Sequence, residues 1–503
     1  MQGLQATAVT IEVNATRGVR FVLVGLPDNA VKESHERILA AIENSGFTFP
    51  TRQITINLSP ADIRKEGSGY DLPMAIGILA TEDKVNTSQL GKYMMVGELS
   101  LDGSLVPIRG ALPVAIKARE MGFEGLFVPE GNIREAAVVN KLKVYGVKHI
   151  TQVVNHLNGT ALLEPTVVDT RGEFYARQYE FDYDFADVKG QEHVKRAMEV
   201  AAAGGHNIIM IGPPGSGKSM LAKRMPSILP PLSLQESLET TQIHSVAGTL
   251  PAGCSLMAQR PYRSPHHTIS QVALVGGGTN PQPGEISLAH NGILFLDELP
   301  EFQRSVLEVL RQPLEDRVIN VSRAKYSVTF PCSFMFVASM NPCPCGYYNH
   351  PTKACCCTPG QIVRYLNKIS GPLLDRIDLQ IELSPVPFSD LNKMEPGEPS
   401  EKIRERVIRA RKIQEERFRD YALIHSNAQM TEKMLGQYCV LDSQTTEVLR
   451  EAMIRLNLSA RAYSRILKVA RTIADLEGKE NIEFAHVAEA VGYRTLDRSS
   501  WGE

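Results

Sequence analysis

The run Gly212, Pro213, Pro214, Gly215, Ser216, Gly217, Lys218 and Ser219 has the residue types and spacing of a phosphate-binding loop, G-x-x-x-x-G-K-[ST]. Glycines let such a loop wrap phosphates, and the helix expected after it supplies backbone N–H groups and positive potential. Lys218 would reach the β- and γ-phosphates, and Ser219 would ligand Mg²⁺. A glycine-rich turn can match by chance. Here the apolar run 207–211 reads as a strand before the loop and 220–225 as a helix after it. A second apolar run, 293–296, ends in Asp297 and Glu298. Asp297 suits the Mg²⁺ shell, and Glu298 suits the general base that polarises the attacking water. A third strand, 334–338, leads to Asn341, whose amide can orient that water; the plain alternative is an Asn-Pro turn. Together these residues predict ATP binding and hydrolysis.

Five of the eight cysteines lie between Cys343 and Cys357. Two close thiolate pairs, from Cys343-Pro-Cys345 and from Cys355-Cys-Cys357, suit tetrahedral zinc, which needs four soft ligands. The spacing is tighter than the usual C-x-x-C, His350 could replace one ligand, and the alternative is a set of reduced surface thiols. A filled tetrathiolate has no open position, so its expected role is structural: fixing the loop after Asn341.

The elements that must position these residues divide the chain by pattern. Residues 1–165 mix short β-like runs with helices, and 166–186 read as a polar, aromatic and acidic linker. Residues 187–390 alternate apolar strands with amphipathic helices, the sign of a parallel α/β sheet. After a break with Pro396 and Pro399, the remainder of 391–503 reads as helices. On the helix 461–476, Ile466, Val469, Ile473 and Leu476 keep helical spacing and are expected to face a core. With 503 residues, 43% hydrophobic and 22% charged, the chain is an ordinary multidomain globular protein. It has no membrane span and no secretory signal, so the expected location is the cytoplasm. Lys+Arg 54 against Asp+Glu 56 gives a net charge of −2, so any nucleic-acid surface must be local.

The phosphate loop, Asp297-Glu298, Asn341 and the helical C-terminal region together resemble an AAA+ ATPase. Three further runs narrow this. Arg260-Pro-Tyr-Arg-Ser-Pro-His-His-Thr-Ile-Ser270, Asn341-Pro-Cys-Pro-Cys-Gly346 and Ser370-Gly-Pro-Leu-Leu-Asp-Arg-Ile-Asp378 resemble the YifB/ComM group of magnesium-chelatase-like ATPases. The resemblance covers nearly the whole chain. It implies a homo-hexameric ring motor, a helicase of the ComM type driving DNA branch migration in recombination or natural transformation. It also implies that Arg376 is an arginine finger reaching a neighbouring subunit's γ-phosphate. A guanidinium delivered in trans would stabilise charge on the transferring phosphoryl group and tie hydrolysis to assembly. Arg461 resembles the lid arginine called sensor two, with Arg465 and Arg471 as rivals. The resemblance supports Cys343, Cys345, Cys355 and Cys357 as the zinc set.

Two segments have no role in nucleotide chemistry. The insert 260–290 carries Arg260, Arg263, His266 and His267; a hairpin over 317–329 carries Arg323 and Lys325. Inserts like these line the central pore in similar ATPases, where basic side chains grip the phosphates of single-stranded or branched DNA. The alternative is interface ion pairs and packed histidines. The segment 94–112 resembles the Lon-type protease domain, which implies a fold of that kind at the N-terminus and raises ATP-dependent proteolysis by a Ser–Lys dyad. Alignment puts Gly69 at the serine position and Pro113 at the lysine position, with Ser68 adjacent, so the domain is expected to be non-proteolytic. The fold expectation is therefore α/β, with a Lon-like α+β domain, a parallel AAA+ core and a helical lid. The competing functional class is a remodelling ATPase, similar to the magnesium chelatase motor, acting on a protein partner.

Overall fold

A computed structural model describes residues 3–251, 253–278, 281–323, 326–385, 396–421, 423–456 and 458–494. The chain forms two compact units, one of residues 1–176 with 234–257, the other of 177–233 with 258–503. The chain thus leaves the second unit after Ser233, contributes Leu234–Met257 to the first, and returns at Ala258.

The first unit is α+β. The strand Gln53–Ser59 alternates buried and half-buried residues, as a strand with one covered face must. It pairs antiparallel with Thr10–Thr16 and parallel with Phe21–Val24. A second, parallel sheet orders Tyr93–Met95, Gly125–Pro129 and Lys143–Val147. The helices Ser34–Asn44, Asp71–Ala80 and Ile150–Asn158 bury Ile38, Leu72, Ile76 and Val153 against these strands. The helix Leu234–Ala247 joins this unit through a Gly110 N–H bond to Ser245 O (3.0 Å) and through Leu238, which packs against the cluster of Leu112 and Ala115. The stretch expected as a linker, 166–186, holds the helix Thr170–Arg177 with Phe174 buried. Phe174 is the apolar anchor that gave no periodic signal, because it stands alone.

The second unit is built on a five-stranded parallel sheet. Its strands are β1 (Ile208–Ile211), β2 (Tyr262–Arg263), β3 (Ile293–Leu296), β4 (Met335–Met340) and β5 (Leu379–Glu382), in the order β2-β3-β4-β1-β5. Every residue of β1, β3 and β4 is buried, which is why these strands read as unbroken apolar runs. Six helices matter here: α1 (Glu192–Gly204), α2 (Lys218–Arg224), α3 (Gln271–Val275), α4 (Arg311–Asp316), α5 (Ser400–Arg417) and α6 (Ala460–Leu476). Ile403 and Val407 of α5, Ile466, Val469 and Ile473 of α6, and Val194 and Met198 of α1 share one hydrophobic core with the sheet. Leu476 packs at its margin. The C-terminal helices therefore belong to the same compact unit as the sheet; the boundary expected at 390/391 lies outside the described residues. Among the described residues no helix is long and apolar enough to cross a membrane.

Candidate active site

Parallel α/β sheets gather their loops at the carboxyl ends of the strands, and this is where the predicted nucleotide residues meet. Gly212–Gly217 connects β1 to α2. Gly217, at φ +88°, caps α2 in a left-handed conformation that a glycine adopts without strain. The Lys218 ammonium donates to Gly212 O (2.7 Å), Pro213 O (2.9 Å) and Asn341 Oδ1 (3.3 Å). Burial pushes Lys218 below its ordinary range, against the pull of Asp297 and Glu298.

Ser219 Oγ donates to Asp297 Oδ2 at 2.6 Å, so the two expected Mg²⁺ ligands touch. On the other oxygen, Asp297 Oδ1 accepts from Ser339 Oγ and from the Glu298 N–H (3.0 Å). Ser339 belongs to no motif in the sequence. Its signal was parity: on a strand, Ser339 and Asn341 point to the same side. Glu298 sits at φ 54°, half-exposed, with Oε2 3.7 Å from His267 Nδ1. His267 reaches it because β2 pairs with β3; its ring also lies tilted against that of His266, centres 4.0 Å apart.

Arg376 lies elsewhere. Its carbonyl accepts from Asn207 Nδ2 (2.9 Å), just before β1, so it stands at the amino ends of the strands. The four residues of β1 span about 13 Å, which puts Arg376 on the opposite edge of the sheet from its own phosphate loop. Its guanidinium, 13% exposed, pairs with Glu315 of α4 (2.5 Å) and donates to Pro372 O (2.6 Å). Nothing in the sequence signalled Glu315.

The three candidate lid arginines on α6 separate cleanly. Arg471 is buried, binding Asp475 and the carbonyls of Lys479 and Glu480. Arg465 pairs with the buried Asp378 (3.0 Å). Arg461 is exposed and pairs with Asp375 (2.6 Å), the neighbour of Arg376, so it shares that edge. Burial would raise the Asp378 carboxyl; Arg465 and His206 instead hold it well below the usual carboxylate range.

Cys343, Cys345, Cys355 and Cys357 bring their Sγ atoms within 4.8 Å of one another. Three of the separations are 3.4, 3.7 and 3.6 Å. A tetrahedron with Zn–S bonds of ~2.3 Å has edges of about 3.8 Å, so the set fits such an ion. Burial opposes ionisation of Cys345, yet the N–H groups of Tyr347 and Cys356 bring it down to about 6. His350 stands outside the set, its Nδ1 accepting from the N–H groups of Thr352 and Lys353.

The expected DNA contacts divide. Arg260 donates to Pro230 O (2.6 Å) and Asn291 O (2.8 Å), and Arg263 makes a bidentate pair with Glu285 (2.6 and 2.7 Å). Both guanidiniums are engaged within their own chain. His266 caps its own turn at Thr268, and His267 faces Glu298. Lys325 lies outside the described residues, and Arg323 is described by its backbone alone, in the hairpin Val318–Arg323 with Tyr326–Pro331. In the first unit, Ser68 donates to Glu98, and Pro113 is buried in the helix Ala111–Glu120.

Three family models match the chain: "Magnesium chelatase, subunit ChlI" over residues 184–391, "Subunit ChlI of Mg-chelatase" over 11–132, and "Magnesium chelatase, subunit ChlI C-terminal" over 397–494. Competence protein ComM of Haemophilus influenzae is 44% identical over 505 residues, covering 99% of this chain and 96% of that one. The chain belongs to the YifB/ComM family of magnesium-chelatase-like proteins. The uncharacterized protein YifB of Escherichia coli is likewise 44% identical over 503 residues, with the same coverage. Lon protease 2 of Bacillus subtilis is 31% identical over 157 residues, 28% of this chain and 27% of that protease. Within the YifB/ComM family, the parallel sheet described above is the AAA+ core, joined to a helical C-terminal region.

Proposed function

We propose that the protein is an ATP-driven hexameric ring motor acting on single-stranded or branched DNA in the cytoplasm, with helicase or branch-migration activity. The observation that carries this reading is the split site. Phosphate loop, Asp297, Glu298 and Asn341 meet at the carboxyl edge, while Arg376 and Arg461 stand on the opposite edge. Arginines placed there serve a neighbour's phosphates, so the site is complete only between subunits. Lys218 and the loop N–H groups bind the phosphates, and Glu298 takes the proton of the attacking water. Asn341 orients that water, and Arg376 in trans stabilises the charge on the transferring phosphoryl group. Ser219 and Asp297 would hold Mg²⁺, which supplies charge neutralisation between the phosphates. Zinc on the four cysteines would be structural. The DNA substrate rests on family membership and on the name of one relative, Competence protein ComM.

The second reading, a ring remodelling a protein partner, gains from two observations. Arg260 and Arg263 are engaged within the chain, and the insert exposes an apolar side chain, Val272 on α3. One experiment separates the two: ATP hydrolysis with and without single-stranded and branched DNA, at two salt concentrations, with Glu298→Gln as the blank. Stimulation of several-fold that falls with salt supports the DNA motor; hydrolysis indifferent to every DNA moves the reading to a protein partner.

A further inference from the structure

The phosphate loop and the cysteine loop touch. Gly346 lies between the two cysteine pairs, at φ +84°, and a Cβ built on it would stand 2.6 Å from Pro214 Cδ and 2.9 Å from Cγ. That position has no room for a side chain, and its left-handed backbone also disfavours one. The Gly346 N–H donates to Cys343 O at 3.0 Å, so the residue against Pro214 is fixed by a turn that starts at a thiol of the cluster. On the other side of that thiol, Asn341 accepts from Lys218. The segment 341–346 therefore meets the phosphate loop at both of its ends, Pro214 and Lys218. Its own shape is set by Cys343, fully buried, and Cys345. Cys355 and Cys357 close the loop from the far side. The helix they lead into, Pro359–Leu366, carries Tyr365, which hydrogen-bonds the Asn341 backbone.

Apolar packing does not set the shape of the loop between the pairs: past the buried Gly346, residues 347–354 are exposed or half-exposed. Such a loop holds one shape when a bound ion ties its ends, because the ion's binding energy then acts as folding energy for the segment. We propose that the tetrathiolate loop is a metal-set brace for the phosphate loop, so that nucleotide affinity depends on the ion held by Cys343, Cys345, Cys355 and Cys357. The inference rests on the nucleotide-site reading above and adds a positioning role for Gly346 and for the metal. Neither touches a phosphate. Both act through Pro214 and Asn341.

The test uses the full chain, excess Mg²⁺, a fluorescent non-hydrolysable ATP analogue and zinc quantified per chain. Stripping zinc with a zinc-selective chelator should weaken nucleotide binding by ~10- to 100-fold, the penalty of a misplaced binding loop, and added Zn²⁺ should restore it. Gly346→Ala should keep its zinc and still lose about tenfold in affinity, because its new methyl displaces Pro214. Gly122→Ala, also at positive φ but with nothing within 4 Å, controls for backbone strain and should bind normally. Cys355→Ser should lose zinc and affinity together. Unchanged affinity after stripping, at unchanged circular dichroism, overturns the brace, as does unchanged affinity in Gly346→Ala or a purified chain that takes up no zinc. Lys218→Ala keeps the two readings apart: if it binds nucleotide like the parent, the nucleotide site itself is wrong and the brace falls with it. If it loses nucleotide while the stripped protein keeps it, only the brace fails.

Discussion

Glu298 is held in the left-handed region of backbone space, at φ 54°, where a non-glycine residue gives up on the order of 1 kcal/mol. Its carboxylate faces His267, while the two oxygens of Asp297 are taken by Ser219, Ser339 and the Glu298 N–H. The two adjacent carboxylates thus divide the work. Glu298→Gln keeps the shape and loses the base, so turnover should fall by about 10²–10⁴-fold while nucleotide affinity, measured by titration, stays unchanged. A matching loss of affinity would show that Glu298 holds nucleotide instead of activating water. His267→Ala removes only the group facing Glu298; its turnover should fall by less than that of Glu298→Gln, again at constant affinity. A drop in DNA affinity alone would return His267 to the pore. The phosphate loop, Asp297, Glu298 and Asn341 were legible because each lies on or beside a strand with its own local pattern. The proximity of His267 to Glu298 was not legible, because it is reached through strand pairing, which a linear spacing does not display.

On α6 the apolar face was readable and the polar face was not. Ile466, Val469 and Ile473 are buried as their spacing predicts, but Lys468, Arg471 and Thr472 are buried too. Two of them meet partners distant in the chain: Thr472 bonds His206 Nε2 (2.8 Å) and Lys468 donates to Ala428 O (3.1 Å), while Arg471 binds Asp475 one turn along the same helix. A helix with partners on both sides reads as half-exposed because a distant imidazole or carbonyl leaves no periodic trace. The same gap hides from the sequence that helices of the expected lid, 391–503, share the core of the sheet. Burial lowers the Lys468 ammonium from 10.5 to about 8, with Arg465 adding to the shift. A depressed amine means the unfolded chain binds the proton more tightly, so stability rises with pH between about 8 and 10.5. Lys468→Met should therefore melt higher than the parent at pH 7.5, by roughly 3 kcal/mol at most, and the advantage should shrink toward pH 10. An advantage constant with pH would mean that the amine is not carrying a buried charge.

At the scale of the whole molecule, the split between the two edges of the sheet predicts complementation. Arg376→Ala and Lys218→Ala should each be inactive alone, while equal mixtures regain up to about a quarter of parental hydrolysis by random assortment of subunits. No recovery on mixing would refute delivery in trans. The path of the chain has a consequence of another kind. Leu234–Met257 is encoded inside the ATPase region but packs in the first unit, burying Ile243, His244 and Val246 there. Deleting residues 1–165 should therefore give an insoluble protein, whereas also replacing 234–257 with a short linker should restore solubility, as size-exclusion chromatography would report. Two genes of this family that recombine once, within 166–186, would pair one parent's first unit with the other parent's helix. Such hybrids are expected to survive only where the two parents agree along that helix, or where the exchange also runs through 234–257.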